Sequence, residues 1–208
     1  MFKSGEKRGQ SNLISVVLLT LIMVTLVAIT YMWGMPLVEK QKDTVKVSDA
    51  EKFMKELDDK IQNVIKNGGT QIIDNPKLPG TLKMIDNGIN DAIELKFETT
   101  GTNIAIGQEI YLRGSEIGEI PLGEESGVIK VISNNVNDKK YEVNMTLYYR
   151  NVTGSKNIYT TDIYGLGRDM ISGEKHRIII TEGEETTGPV GERDGKEIYV
   201  TKINLRFE

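Results

Sequence analysis

The stretch LISVVLLTLIMVTLVAITYMWGMPLV, residues 13–38, contains no charged residue. As an α-helix rising about 1.5 Å per residue it reaches about 39 Å, against about 30 Å for a bilayer hydrocarbon core. It can therefore cross a membrane with some tilt. The rest of the chain is polar, charged and rich in alternating patterns. The sequence thus predicts a soluble body tied either to a membrane or to a bundle of identical apolar helices.

The borders of this stretch carry the next inference. Lys3, Lys7 and Arg8 precede it, which predicts a cytoplasmic N-terminus and an external C-terminal body. The far flank mixes Lys40 and Lys42 with Glu39 and Asp43. Tyr31 and Trp33 lie near the outer end, where amphipathic rings favour the interface. The run is longer than the apolar core of a removable secretory signal, and no small-residue cleavage site follows Pro36.

Composition limits the function classes. The chain has 208 residues, enough for one globular domain beyond the anchor. With no cysteine it has no disulfide framework, thiolate metal site or cysteine nucleophile. A single histidine, His176, cannot build a multi-histidine metal centre. The net charge of −4 argues against nucleic-acid binding.

The order of features before the run is distinctive. Basic Lys7-Arg8 comes first, then Gly9, then polar Gln10-Ser11-Asn12, then the apolar residues. This order resembles the class III signal peptide of archaeal type IV pilin-like proteins. In that family a membrane peptidase cuts after a glycine on the cytoplasmic side, and the hydrophobic segment stays on the mature protein. The resemblance implies a processing site at Gly9-Gln10 and a prepilin peptidase as partner. It also implies a membrane and filament-core helix carrying Leu13, Val16, Leu19, Trp33 and Pro36, packed against other copies of the chain or related pilins. Many pilins place a glutamate at the fifth mature position, which here is Ile14. An uncleaved anchor in which Gly9 is only a flexible residue is the alternative.

Beyond the run, Gly34 and Pro36 predict a kink or a locally unwound turn, because proline lacks a donor and crowds the carbonyl four residues back. Thr20, Thr25 and Thr30 can return hydrogen bonds to the preceding turn and so be tolerated in lipid. A second helix is expected to start at the capping box Ser48-x-x-Glu51 and to end near Lys66, before Gly68-Gly69. Its apolar stripe is Val47, Ala50, Met54, Leu57, Ile61 and Val64, widened by Phe53 and Ile65. That face is expected to pack on the β-rich part, with contact to a neighbouring subunit as the sharper alternative.

From residue 70 the period changes to two. Strands are expected around 93–97, 104–112, 128–132, 141–149, 178–180 and 199–207. Turn signals fall at Pro79-Gly80, Asp86-Asn87-Gly88, Asn134-Asn135 and Asp194-Gly195, and 182–195 reads as a long exposed hairpin or loop. The fold class is α+β: a long N-terminal hydrophobic helix, a second amphipathic helix and a C-terminal antiparallel β-sandwich or barrel-like head. The expected division is 1–9 leader, 10–43 transmembrane or filament-core helix, 44–69 stalk helix and 70–208 extracellular β-rich domain.

Catalytic motifs are lacking. The chain has no phosphate-binding loop, no HExxH and no GxSxG, and Gly165-Leu166-Gly167 lacks the third glycine of a dinucleotide fingerprint. The oxygens between Asn134 and Asp138 miss the calcium-loop pattern and read as a turn. No enzyme, cofactor, metal, nucleic acid or small-molecule substrate is expected. Two sequons, Asn144-Met145-Thr146 and Asn151-Val152-Thr153, are candidate N-glycosylation sites. Asn144 takes the strand phase opposite to Val143 and Met145 and is expected to face outward, Asn151 is expected in a turn after the strand, and both are expected to be accessible on an external domain.

The expected function is a non-enzymatic pilin or minor pilin of an archaeal type IV pilus-like filament with an adhesive head. The alternative is a membrane-anchored extracellular module that binds a cell-wall or S-layer component, as stator-like accessory proteins do.

Overall fold

The computed structural model describes residues 6–85, 91–101, 104–115, 118–137, 140–173, 175–184 and 188–208, with side chains from Ile14 onward. The expected turn at Asp86-Asn87-Gly88 lies outside these residues. The protein is α+β, with one long N-terminal apolar helix and a head of two β-sheets. It divides into two compact units, Met1–Lys42 and Asp43–Glu208.

Helix α1 (Glu6–Asn67) is assigned without interruption through Gly34 and Pro36. No unwound turn appears there, although Pro36 has no N–H to offer the Met32 carbonyl. Ser48 and Glu51 are helix-interior residues, so the expected capping box starts no second helix. The segment from Glu39 to Val47 contains neither glycine nor proline, and one turn therefore propagates into the next. The helix stops where the glycines predict. Gly68 takes φ +69° and its N–H bonds the Val64 carbonyl at 2.8 Å, an αL cap that only an achiral residue makes without strain.

Within the second unit, the stripe of α1 is core. Ala50, Met54, Leu57, Ile61 and Val64 are fully buried, with Val47 and Phe53 nearly so. Burying each large aliphatic side chain contributes about 1.5–3 kcal/mol. The stripe packs on the β-rich head, in one hydrophobic cluster with strands of both sheets.

The strands are β1 (Thr70–Asp74), β2 (Thr81–Ile85), β3 (Ala92–Thr99), β4 (Glu109–Arg113), β5 (Ile120–Pro121), β6 (Gly127–Asn137), β7 (Lys140–Tyr149), β8 (Val152–Thr153), β9 (Asn157–Gly167), β10 (Met170–Ser172), β11 (Arg177–Glu182), β12 (Gly191–Arg193) and β13 (Lys196–Phe207). One sheet runs β10-β2-β3-β7-β6-β4, and every pairing in it is antiparallel. The other runs β1-β11-β13-β9-β8-β5, with β12 on β13. In it β9 and β13 pair in parallel from Asn157↔Glu197 to Gly167↔Phe207. This long parallel pair is a feature that alternation alone does not reveal, because side-chain phase is the same for either strand direction.

Two expectations for the β-rich part need correction. The strand expected over 104–112 is shorter: only Glu109–Arg113 is strand, and Gly107 at φ +69° breaks the ladder before it. Asn134-Asn135 is not a turn but part of β6, paired with Glu142 and Tyr141. β6 continues to Asn137, which pairs with Lys140 of β7, and Asp138 lies outside the described residues. Asp194-Gly195 does form a two-residue hairpin. Both residues have positive φ (54° and 74°), the type I′ geometry whose twist matches the flanking strands.

Candidate functional site

The surface of the first unit is the most unusual part of the molecule. Ile14, Val16, Leu19, Leu21, Val24 and Leu26 are each more than half exposed, and Trp33 is 80% exposed. The most apolar window of the helix, with mean hydropathy 2.5, has none of its residues buried. By length and composition α1 is a candidate single membrane span. The threonines satisfy their own hydroxyls. Thr20 donates to the Val16 and Val17 carbonyls at 3.0 and 2.9 Å, Thr25 to Leu21 at 2.7 Å and Thr30 to Leu26 at 2.8 Å. These hydroxyls therefore ask nothing of a surrounding solvent, which suits lipid or another apolar helix.

Among the remaining predicted residues, Gly9, Gln10 and Leu13 lie on helical backbone, and their side chains are outside the described residues. Pro36 is exposed on α1.

In the second unit, a buried polar cluster fixes α1 to the head. Asp58 is fully buried on the apolar face. Its Oδ2 accepts from Arg113 Nη1 at 2.7 Å and its Oδ1 from the Tyr149 hydroxyl at 2.9 Å. Arg113 also bonds Asp59 at 2.5 Å. One turn on, Gln62 donates to Ser126 Oγ at 3.1 Å. Gly127 makes room for this arrangement, since a Cβ there would lie 2.2 Å from Asp58 Oδ1. A β-bulge between Tyr111 and Arg113 interrupts β4 where Arg113 turns to meet the helix.

The electrostatics follow from burial. Burial pushes the Asp58 carboxyl above the usual carboxylate range, and the bonds from Arg113 and Tyr149 offset this only in part. Burial opposes the charge of Arg113, but Asp59 and Asp58 outweigh it and hold the guanidinium more firmly protonated than usual. Burial and the neighbouring Asp58 carboxylate keep the Tyr149 phenol protonated. None of these three residues is apparent as a site from composition. The signal that could have found them is Asp58 and Gln62, two polar residues on the same face as the stripe Met54, Leu57 and Ile61.

A second tie lies further toward the N-terminus of this unit. Asp43 Oδ2 accepts from the Thr100 amide at 2.9 Å and from the Thr100 hydroxyl, and Lys46 lies 3.2 Å from Oδ1. Burial raises the Asp43 pKa, but the Thr100 bonds and Lys46 outweigh that and hold it below the usual value.

The two sequons are not equivalent. Asn144 has the expected phase, opposite to buried Val143 and Met145, but it lies in β7 between β3 and β6. Its amide nitrogen donates to Glu94 Oε1, and its Oδ1 is buried. Asn151 lies between β7 and β8, half-buried, and its Oδ1 accepts from Thr160 at 2.9 Å. His176 is half-buried and its Nε2 lies 2.8 Å from the Ser172 carbonyl.

One family, described as a family of unknown function (DUF7289), has a model that matches residues 8–103. The match covers the apolar run, the rest of α1 and β1 to β3. No curated protein and no solved structure matches the chain.

Proposed function

We propose that the chain is a non-enzymatic subunit, a pilin or minor pilin, of an archaeal type IV pilus-like surface filament. The observation that carries this reading is the apolar surface of α1 between Ile14 and Val38, exposed on every side with its threonine hydroxyls already bonded within the helix. Such a surface must be covered by lipid or by other helices. In lipid the hydrophobic effect gives no preference between the two, so assembly rests on packing between helices. The helix then passes from membrane to filament core without exposing new polar groups. The basic residues Lys3, Lys7 and Arg8 ahead of the run support a cytoplasmic N-terminus and an external β-rich head. Gly9-Gln10, ahead of the run, supplies the processing site.

A second reading is a membrane-anchored extracellular module that binds a component of the cell envelope. Ile14 favours it, because the fifth position after the cut lacks the acid through which many pilins dock their neighbours.

Edman sequencing of the native protein, together with mechanical shearing of cells, separates these readings. The filament reading expects a mature chain beginning at Gln10 and sedimenting with sheared fibres. A chain that begins at Met1 and stays with the membranes overturns it in favour of the anchored module.

A further inference from the structure

The filament reading leaves both sequons without a role, and the fold sets them apart. In β7, Asn144 lies between Lys96 of β3 and Ile132 of β6, and Thr146 lies between Glu94 and Lys130. The first sequon is therefore a stretch of a ten-residue strand laddered on both sides. The Asn144 amide nitrogen already donates to Glu94, and its Oδ1 is buried.

The second sequon is built differently. Asn151 stands just before β8, which is only the two residues Val152 and Thr153. These pair with Tyr159 and Ile158 on one side and with Ile120 and Pro121 on the other. Asn151 Oδ1 accepts from Thr160 at 2.9 Å, while its Nδ2 bonds no described residue and is not buried. The Thr153 hydroxyl donates to the exposed Glu119 at 2.6 Å. Asn151 also borders a cavity of about 360 Å³.

These differences decide which asparagine a glycosyl-transferring enzyme can use on the folded head. Reaching Asn144 means drawing a long strand away from two neighbours and breaking its bond to Glu94. Reaching Asn151 means opening a two-residue strand, and its Nδ2 gives up no partner. The product fits as well. A substituted Asn151 keeps its Oδ1 bond from Thr160 and one N–H, and the cavity beside it has room for a first sugar.

We propose that the folded head carries an N-linked glycan on Asn151 and none on Asn144. This rests on the external placement of the head proposed above. The donor is a sugar joined through C1 to a lipid phosphate. The Nδ2–C1 bond forms as the C1–O bond breaks. The lipid phosphate leaves with the electron pair, and the proton lost by Nδ2 ends on that phosphate.

The test is mass spectrometry of the native protein taken from its own cells. Trypsin cuts after Lys140, Arg150 and Lys156, so the two sequons fall on separate peptides, 141–150 and 151–156. Glycan mass is expected on 151–156 and not on 141–150. In the same host Asn151→Gln is expected to lose the glycan, and Thr153→Ser, which keeps the hydroxyl, to retain it. A bare 151–156, a glycan as frequent on 141–150 as on 151–156, or a glycan that survives Asn151→Gln overturns the proposal. Labelling intact cells with a membrane-impermeant amine reagent separates this failure from that of the external placement. Unlabelled lysines in the head overturn the placement too, whereas labelled lysines with a bare 151–156 overturn the glycan alone.

Discussion

Asp43 shows how a single carboxylate can tie an element to its neighbour. Its two bonds from Thr100 and its contact with Lys46 stabilise the ionised form, and its folded pKa lies below the unfolded value. The stabilisation is thus present above the ordinary carboxylate range and is lost as pH falls through the folded pKa. Asp43→Asn is expected to lower stability at pH 7 by about 1.5–3 kcal/mol, the scale of hydrogen bonds to a charged group. The gap to the parent should close as pH drops below about 4. Urea unfolding of both proteins across that range measures it, and a gap independent of pH would show that the charge of Asp43 contributes nothing. Asp58 behaves oppositely, since burial raises its pKa and ionisation costs stability as pH rises through that value.

At the scale of the element, one helix performs two tasks. Leu57 is fully buried against the sheets, whereas Leu21 is 66% exposed. Leu57→Ala is expected to destabilise the head by about 2–5 kcal/mol, from lost transfer energy and a residual cavity. Leu21→Ala should leave the thermal unfolding of the head unchanged, because Leu21 is exposed and is not one of the residues of that core. Differential scanning calorimetry of the two variants distinguishes them, and an equal loss in both would contradict the division. The continuity of α1 through Ser48 has the same origin. A serine caps a helix only when the preceding residues leave it, and here the residues from Glu39 onward continue the helix.

At the scale of the whole molecule, the buried residues among those described begin at Asp43, and the hydrophobic ones at Val47. The second unit, Asp43–Glu208, thus holds the described core. Removing residues 1–42 is expected to give a soluble head with cooperative unfolding and no affinity for liposomes. Flotation with vesicles and calorimetry check this. A truncated chain that aggregates or still floats would show that the first unit is needed for more than attachment.

The apolar run, the amphipathic stripe of α1 and the strands β3, β7, β11 and β13 were legible in the chain, because each is a local pattern written in consecutive side chains. The end of α1 was legible for the same reason, in Gly68-Gly69. Other features depended on residues far apart in sequence. β9 was unreadable because Tyr159, Thr160, Thr161 and Asp162 do not alternate apolar with polar, and its parallel register with β13 is a long-range choice. The cluster joins Asp58 to Arg113 and Tyr149, 55 and 91 positions away, and the desolvation that shifts their proton affinities exists only once the helix lies on the sheet. Asn144 reads in sequence as an open sequon, yet in the fold it is a strand residue bonded to Glu94. Local pattern therefore dictated where α1 ends, which strands carry an alternation of apolar and polar residues, and where the membrane-length run lies. Only the tertiary structure decided which polar groups lose water, because burial depends on the partner that covers a residue and not on the residue itself.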